Sequence, residues 1–404
     1  MTTTETADIL HRILDYSARA DPYPLYAELR KTPVALQEDG SYVISTYREL
    51  TGILHDPHLS SDVRNLSRAM PAAGGRTTPS FISIDPPEHD RMRRLAMRHF
   101  GPPHTPGLVD RMRPDLTATV SSLIDDFAGK QQIDIVDDFA YPFPVTVICH
   151  LLGVPREDEP RFHQWVNAII DSLDYNPKTD PKEKLDNGLQ ANKDMQQYLG
   201  GLLEPRHDRP GDDLLSRLAT DDGPDGRMTD EEIVSTAHLL LIAGHETTVN
   251  LITNGMLTLL RHPQVLQRLR DEPDLVVRLV EELLRYEPPV HIIPWRAAYS
   301  DITVAGTTIP KGSQIMLMLA SGSRDPDRFH DPDRFDPDRQ DNQHLGFGSG
   351  IHLCFGGPLA RLETQIALSE LVHRLDNPRL VADPPPYRPS PVLRGPIHLH
   401  IEQG

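Results

Sequence analysis

Cysteine is scarce in this chain: Cys149 and Cys354 are the two among 404 residues. Two thiols cannot build a disulfide framework, and a zinc ribbon or a cysteine-ligated iron–sulfur cluster needs more sulfur ligands. Any sulfur chemistry here falls to one residue acting alone. Basic residues are also short, 41 Lys and Arg against 59 Asp and Glu, and they form no runs. The resulting charge of −18 sets the chain against nucleic acid and anionic membranes, whose phosphates repel it. Long apolar runs are missing as well. A bilayer span needs ~20 apolar residues, and the best stretch, residues 315–320, is strand-sized. The start, Met1-Thr2-Thr3-Thr4-Glu5, has neither the basic opening nor the apolar stretch of a secretory signal. A cytoplasmic protein is therefore expected, in a reducing compartment that keeps both cysteines as thiols.

Hydrophobic residues at 38% and charged residues at 25% describe a chain able to bury a sizeable core. Its length alone would allow two or three domains at ~150 residues each. Yet no internal repeat and no polar linker divides it, and its 38 prolines punctuate helical segments instead of gathering in one place. The strongest loop signals lie at residues 70–78, 176–182, 221–227 and 324–343. Short β-branched runs at 41–45, 302–309 (with a turn at Gly306) and 314–319 predict strands. The rest reads as helix. One domain over 1–404, mainly α with small β-sheets, is the expectation.

The most informative helix starts after Thr229, whose hydroxyl and Glu232 three residues on form a capping box. Ile233, Ala237, Leu240, Leu241, Gly244, Thr248, Leu251, Ile252, Gly255 and Leu259 recur at helical spacing until Pro263. About 32 residues at ~1.5 Å each predict a rod of roughly 48 Å. Its middle, Ala243-Gly244-His245-Glu246-Thr247-Thr248, is a poor helix centre, because glycine costs ~1 kcal/mol there and threonine hydroxyls compete for the ladder. A strong helix with a weak polar centre marks either a functional site or close helix packing at Gly244.

Around Cys354 the chain reads Phe347-Gly348-Ser349-Gly350-Ile351-His352-Leu353-Cys354-Phe355-Gly356-Gly357-Pro358. Glycines allow the backbone to lie close to a flat ligand, and Pro358 suits the first turn of a helix continued by Leu359, Leu362, Ile366, Leu371 and Leu375. Just upstream of a helix N-terminus, the sulfur is biased toward thiolate. A single thiolate in such a loop suits axial ligation of haem iron. The alternatives are a nucleophilic cysteine with His352 as base, and zinc held by His344, His352 and Cys354. A nucleotide loop fails for want of a third glycine and a preceding strand. Cys149, inside the apolar stretch 145–152, reads as core.

Phe347-Gly348-x-Gly350-x-His352-x-Cys354-x-Gly356 resembles, position by position, the haem-binding signature of the cytochrome P-450 family. Further motifs follow in the family's order over nearly the whole chain, as in its soluble bacterial members. The resemblance implies the P-450 fold with a long central helix over haem b, and Cys354 as the ligand of the iron. It implies that Ala243, Gly244, Thr248, Phe347, Gly348 and Gly356 lie against the haem, while Glu246, connected to solvent, and Thr247 relay protons for dioxygen activation. His89 and Arg93, Arg296, and His352 match the family's propionate contacts. The neighbouring Arg91, Arg94 and Arg98 are expected to face outward as a basic patch for an acidic electron donor. Glu282-x-x-Arg285 matches the family's buried structural pair, with Arg334 as the expected third member and Arg339 as the alternative.

The same resemblance implies a substrate pocket drawn from residues 62–82, 240–247 and 290–294, closed near Val392 and Leu393. Leu240, Ala243, Val290, Ile292, Ile293 and Val392 make it apolar, with His291 as a polar exception. The expected enzyme is a monooxygenase that hydroxylates or epoxidises an apolar natural product or xenobiotic, in secondary metabolism. Nothing resembles a flavin or iron–sulfur module, so ferredoxin and a ferredoxin reductase are the expected electron donors to a monomer. A peroxide-driven peroxygenase and a non-catalytic haem protein are the alternatives within the fold.

Overall fold

Apolar residues recurring at helical spacing make helix the dominant element, and prolines and caps set where each helix begins. The computed structural model describes residues 1–67, 78–100, 107–127, 129–173 and 181–404. The loops expected at 70–78 and 176–182 lie mainly outside those residues. In chain order the helices are α1 (Thr3–Leu14), α2 (Tyr23–Leu29), α3 (Tyr47–Leu54), α4 (Glu88–Phe100) and α5 (Leu108–Asp126). Then come α6 (Pro142–Leu152), α7 (Glu159–Leu173), α8 (Pro181–Leu203), α9 (Leu214–Ala219) and α10 (Asp230–Arg261). The last are α11 (Pro263–Asp271), α12 (Leu275–Tyr286), α13 (Leu319–Gly322) and α14 (Gly357–Arg374). The strands are β1 (Val34–Leu36), β2 (Tyr42–Ile44), β3 (Leu59–Ser60), β4 (Gln132–Asp134) and β5 (Ile293–Ala298). They continue with β6 (Ile302–Val304), β7 (Thr307–Ile309), β8 (Gln314–Leu317), β9 (Arg379–Leu380) and β10 (His400–Glu402).

The chain forms two compact units. The first holds residues 1–69, 117–140 and 247–404, and with them all the sheets. Its five-stranded sheet runs β1-β2-β8-β5-β3, with β2 and β8 parallel and the other pairs antiparallel. A second sheet joins β4, β10 and β9, and β6–β7 is the hairpin expected around Gly306. Ile44, Leu50, Ile315 and Leu317 form one core cluster under the large sheet, and Tyr26, Leu29, Val43, Ile292 and Met318 form another. Strands β2, β6, β7 and β8 fall where the β-branched runs predict them. Strand β5 has no strand signal in the sequence, because Pro294 and the irregular register between Ile293 and Arg296 break its alternation, and its first two residues overlap the pocket expected at 290–294.

The second unit holds residues 70–116 and 141–246, built from α4, α6 to α9 and the first half of α10. In it Phe143, Phe162 and Leu199 are fully buried. Among the described residues one segment reaches the length and apolarity of a membrane span, which corrects the reading of 315–320 as the best candidate. It is Ile135–Leu152, 18 residues of mean hydropathy 1.3, but 61% of it is buried as in a core helix. Cys149 within it is fully buried, and desolvation, with Glu159 nearby, pushes its thiol up to about 12.

Candidate active site

Helix α10 runs unbroken for 32 residues from the expected capping box. Glu232 N–H donates to Thr229 Oγ1 (3.3 Å), and Thr229 N–H donates to the Glu232 carboxylate (2.9 Å). At its centre, Ala243 is exposed and Thr247 partly so, while His245, Glu246 and Thr248 are buried. Positions 243 and 247, four apart, therefore share the accessible face. The other central residues point elsewhere. A methyl on Gly244 would lie 3.1 Å from Ile148 Cδ1, so α10 packs closely on α6 at this glycine. Thr248 is buried and hydrogen-bonds Glu363 on α14. Burial holds the Glu363 carboxyl well above the carboxylate range, so it is a neutral acid. His245 packs its ring edge-on to Tyr141 at 4.5 Å. Glu246 is fully buried, so its expected connection to solvent would run through other groups.

The cysteine loop is shaped by its backbone. Gly350 has φ +70°, and a side chain there would collide with the Leu54 carbonyl at 2.0 Å, so only glycine fits. Gly348 also sits at φ +70°. Cys354 N–H donates to the Phe347 carbonyl (3.0 Å), closing the loop ahead of α14, which Gly356 caps. A methyl on Gly356 would approach Cys354 Sγ to 3.9 Å. Cys354 is an exposed thiol outside any disulfide, with Ile351 and Leu353 exposed beside it.

Two adjacent glutamates of α12 hold this loop in place. Glu281 takes both Nε (2.6 Å) and Nη2 (2.9 Å) of Arg361, which stacks on the Phe347 ring at 4.5 Å. Glu281 also lies 3.2 Å from His344 Nε2, while His344 Nδ1 accepts from Gly346 N–H (3.1 Å). One carboxylate thus ties chain on both sides of Cys354, and both nitrogens of His344 are engaged, which removes the zinc reading. Burial raises the Glu281 pKa, but the hydrogen bonds of His344 and Arg361 outweigh it and bring it down to about 2. Its stabilisation is present above the ordinary 4.5 and lost as pH falls toward about 2. Glu281→Gln should cost about 1–2 kcal/mol at pH 6, allowing for partial exposure, and the variant should converge with wild type near pH 2. Urea unfolding curves that stay equally spaced over that range would refute the assignment.

Glu282 and Arg285 are both fully buried, as the E-x-x-R resemblance implies, with Arg285 donating to both carboxylate oxygens at 2.7 and 2.8 Å. The third member is Arg339, not Arg334. Arg339 Nε lies 3.4 Å from Glu282 and is almost covered. Arg334 turns its side chain out, 69% exposed beside Asp336, and gives the network only its carbonyl.

The expected propionate contacts occupy three places. His89 is buried on α4, its Nδ1 2.8 Å from Asp90, and Arg93 lies one turn on, partly buried. Arg296 is nearly buried on β5. His352 Nε2 sits 2.9 Å from Ser61 Oγ, a partner that no sequence signal marks. The basic patch expected beside them does not form: Arg91 pairs with Glu88 and Glu232, Arg94 with Asp225, and Arg98 with Asp221 and Asp225. Those carboxylates neutralise it within the chain.

Among the expected pocket residues, Val290 bridges Leu393, and His291 N–H donates to the Val392 carbonyl (2.9 Å). Ile292 is a core residue, 1% exposed between Tyr26 and Met318, which corrects its placement in the pocket. His291 is equally buried, with Nδ1 2.9 Å from Tyr26 Oη, and desolvation keeps it neutral. Leu240 is 5% exposed; Ile293 and Val392 are partly buried.

An exposed thiol in a glycine loop with apolar flanks, ahead of a helix N-terminus, defines the class: proteins that hold an iron macrocycle by one sulfur. The donor chemistry and the apolar surface beside it fit that group. The cytochrome P450 family model matches residues 71–399, and the chain belongs to that family. The "Cytochrome P450 monooxygenase PikC" of Streptomyces venezuelae is 39% identical over 93% of this chain and 89% of its own. The "Vitamin D(3) 25-hydroxylase" of Pseudonocardia autotrophica is 37% identical over 100% of this chain and 99% of its own. The solved ligand-free structure of Mycobacterium smegmatis CYP164A2 superposes with TM-score 0.89 at 39% identity, covering 98% of this chain and all of that one. The fold is therefore the P450 fold, the cofactor is haem b, and the activity is that of a haem-thiolate monooxygenase.

Proposed function

We propose that residues 1–404 act as one catalytic domain that oxygenates an apolar small molecule on haem b ligated by Cys354. The observation that carries this reading is the exposed Cys354 thiol, set by the Phe347 carbonyl and the Glu281–Arg361 pair. When bound, haem b supplies reductive activation of dioxygen, giving one oxygen atom to the substrate and one to water. The chain's own groups do the rest. His89, Arg93, Arg296 and His352 offer hydrogen bonds to the two propionates, inside a protein whose net charge is otherwise hostile to them. Thr247, on the accessible face of α10, holds a hydroxyl where a proton is needed, and buried Glu246 beside it feeds that hydroxyl. This intact acid–alcohol pair favours the oxygen-dependent reading over a peroxygenase or a haem carrier. The test is the absorption spectrum of the reduced, CO-bound protein, which should show a strongly red-shifted Soret band.

Thr247→Ala should keep haem content and substrate binding yet uncouple oxygen consumption from product, releasing peroxide. The loss of coupled product should be about 100–10,000-fold, the range for a positioned acid–base group. Coupling equal to wild type would remove Thr247 from the relay. For the substrate, the apolar residues Leu240, Ala243, Val290, Ile293 and Val392 support a natural product of terpenoid, steroid or macrolide size, or a xenobiotic. The named activity of the vitamin D relative supports the same class. Titrating such compounds against the iron spin state identifies it. Electrons come from a separate ferredoxin and its reductase to a cytoplasmic monomer, so NAD(P)H alone should sustain no turnover.

A further inference from the structure

A second cluster of metal-binding side chains lies on the sheet formed by β4, β10 and β9, apart from the cysteine loop. Strand β10 pairs antiparallel with β4, His400 opposite Asp134. His398 and His400, two apart, put their rings on one side of the chain, stacked at 5.6 Å and 8° from parallel. Both Nδ1 atoms turn to the same oxygen, Asp134 Oδ2, at 2.7 Å from His398 and 3.8 Å from His400. Asp137 Oδ2 approaches His398 Nδ1 to 3.3 Å. One imidazole N–H cannot serve two carboxylates well, so hydrogen bonding alone explains this convergence poorly.

We propose that Asp134, His398 and His400 bind one divalent transition-metal ion of the zinc type. A tetrahedral ion with ligand bonds of 2.0–2.1 Å spaces its ligand atoms about 3.3 Å apart. The observed separations of 2.7 and 3.8 Å bracket that value, and the ligand atoms of Asp134, His398 and His400 all lie within 4.8 Å of one another. The carboxylate is pre-oriented: Asp134 Oδ1 accepts from the N–H groups of Val136 (3.0 Å) and Leu399 (2.9 Å), leaving Oδ2 directed at the histidines. The side chains of His398 and His400 are 43% and 47% exposed, so an ion enters directly from solvent. Two imidazoles with carboxylate select zinc, nickel, cobalt or copper over magnesium and calcium. The ion would clip β10 to β4 across a sequence separation of more than 260 residues, where closing a loop removes most unfolded-state freedom.

The test is equilibrium dialysis of the haem-loaded protein against zinc chloride, with magnesium chloride at the same concentration as control, and thermal unfolding in parallel. Wild type should retain one Zn2+ per chain and no Mg2+, and zinc should raise its unfolding midpoint. In the His398→Gln/His400→Gln variant that site should weaken by more than about 100-fold, beyond the ~10–100-fold cost of losing a group behind a ligand. The variant replaces exposed side chains, and circular dichroism shows whether it is folded. Asp134→Asn should weaken zinc binding as well. Zinc retention equal in wild type and the double variant, or no stoichiometric zinc in wild type, would overturn the proposal.

Discussion

Cys354→Ser should abolish the red-shifted Soret band of the reduced, CO-bound protein and bring oxygenation down to background. The fold should survive, because Cys354 is exposed and its backbone bond to Phe347 does not use the sulfur. Substitutions of groups that merely support a metal ligand cost ~10–100-fold, so loss of the ligand itself should exceed that range. Cys149→Ser is the matched control. That thiol is fully buried and its ionisation suppressed, so replacing it introduces a buried hydroxyl that lowers stability by about 1–3 kcal/mol and leaves the spectrum unchanged. A Cys354 variant with wild-type spectrum and turnover would sink the assignment. So would a Cys149 variant that, still folded, lost the band.

The features visible in the sequence are those encoded within a few residues. The capping box at Thr229, the glycines around Cys354 and the Glu282–Arg285 spacing each specify a local geometry, and each is found. The face assignment of α10 was partly legible: spacing put Ala243 and Thr247 together, but whether Gly244 and Thr248 faced the haem or a neighbouring helix depended on Ile148 and Glu363. Those partners lie about a hundred residues away in either direction, and no periodicity announces them.

What stayed hidden is long-range pairing of polar groups. Ser61 meets His352 across 291 positions, and Leu399 meets Asp134 across 265. Strand β4, three residues long, is stabilised by its partner β10 and carries no pattern of its own. The arginines of α4 show the same limit: their positive charge was evident, but the acids that neutralise it belong to α10 and the turn before it. Glu281 carries no sequence signal of its own: its neighbour Glu282 fits a known motif, whereas the partners of Glu281, His344 and Arg361, are assembled only by the fold.

The network around Glu282 should produce the largest stability losses in the molecule, in a fixed order. Glu282 is fully buried and accepts from Arg285, Arg339, Asn342 Nδ2 (3.2 Å) and Asp336 N–H (2.9 Å). Arg285 also donates to the carbonyls of Ser323 (3.2 Å), Pro332 (2.7 Å) and Arg334 (3.1 Å), pinning the irregular segment that leads into the cysteine loop. Removing Glu282 strips buried Arg285 of its carboxylate, and removing Arg285 leaves Glu282 with Arg339 as its single cation among the described residues. Breaking a buried pair in this way costs about 3–5 kcal/mol, a large share of the ~5–15 kcal/mol that holds most proteins folded. Glu282→Ala and Arg285→Ala should therefore give little folded, haem-containing protein. Arg339→Ala should cost about 1–2 kcal/mol, since Glu282 keeps its two bonds to Arg285. Arg334→Ala should stay within about 0.5 kcal/mol, because that exposed side chain lends only its backbone to the network. Joining Glu282→Leu with Arg285→Met removes both charges but orphans three backbone carbonyls, so the double variant should recover only part of the loss. Urea unfolding of the series decides the matter, and an Arg334 variant weaker than the Arg339 variant would reverse the assignment of the third arginine.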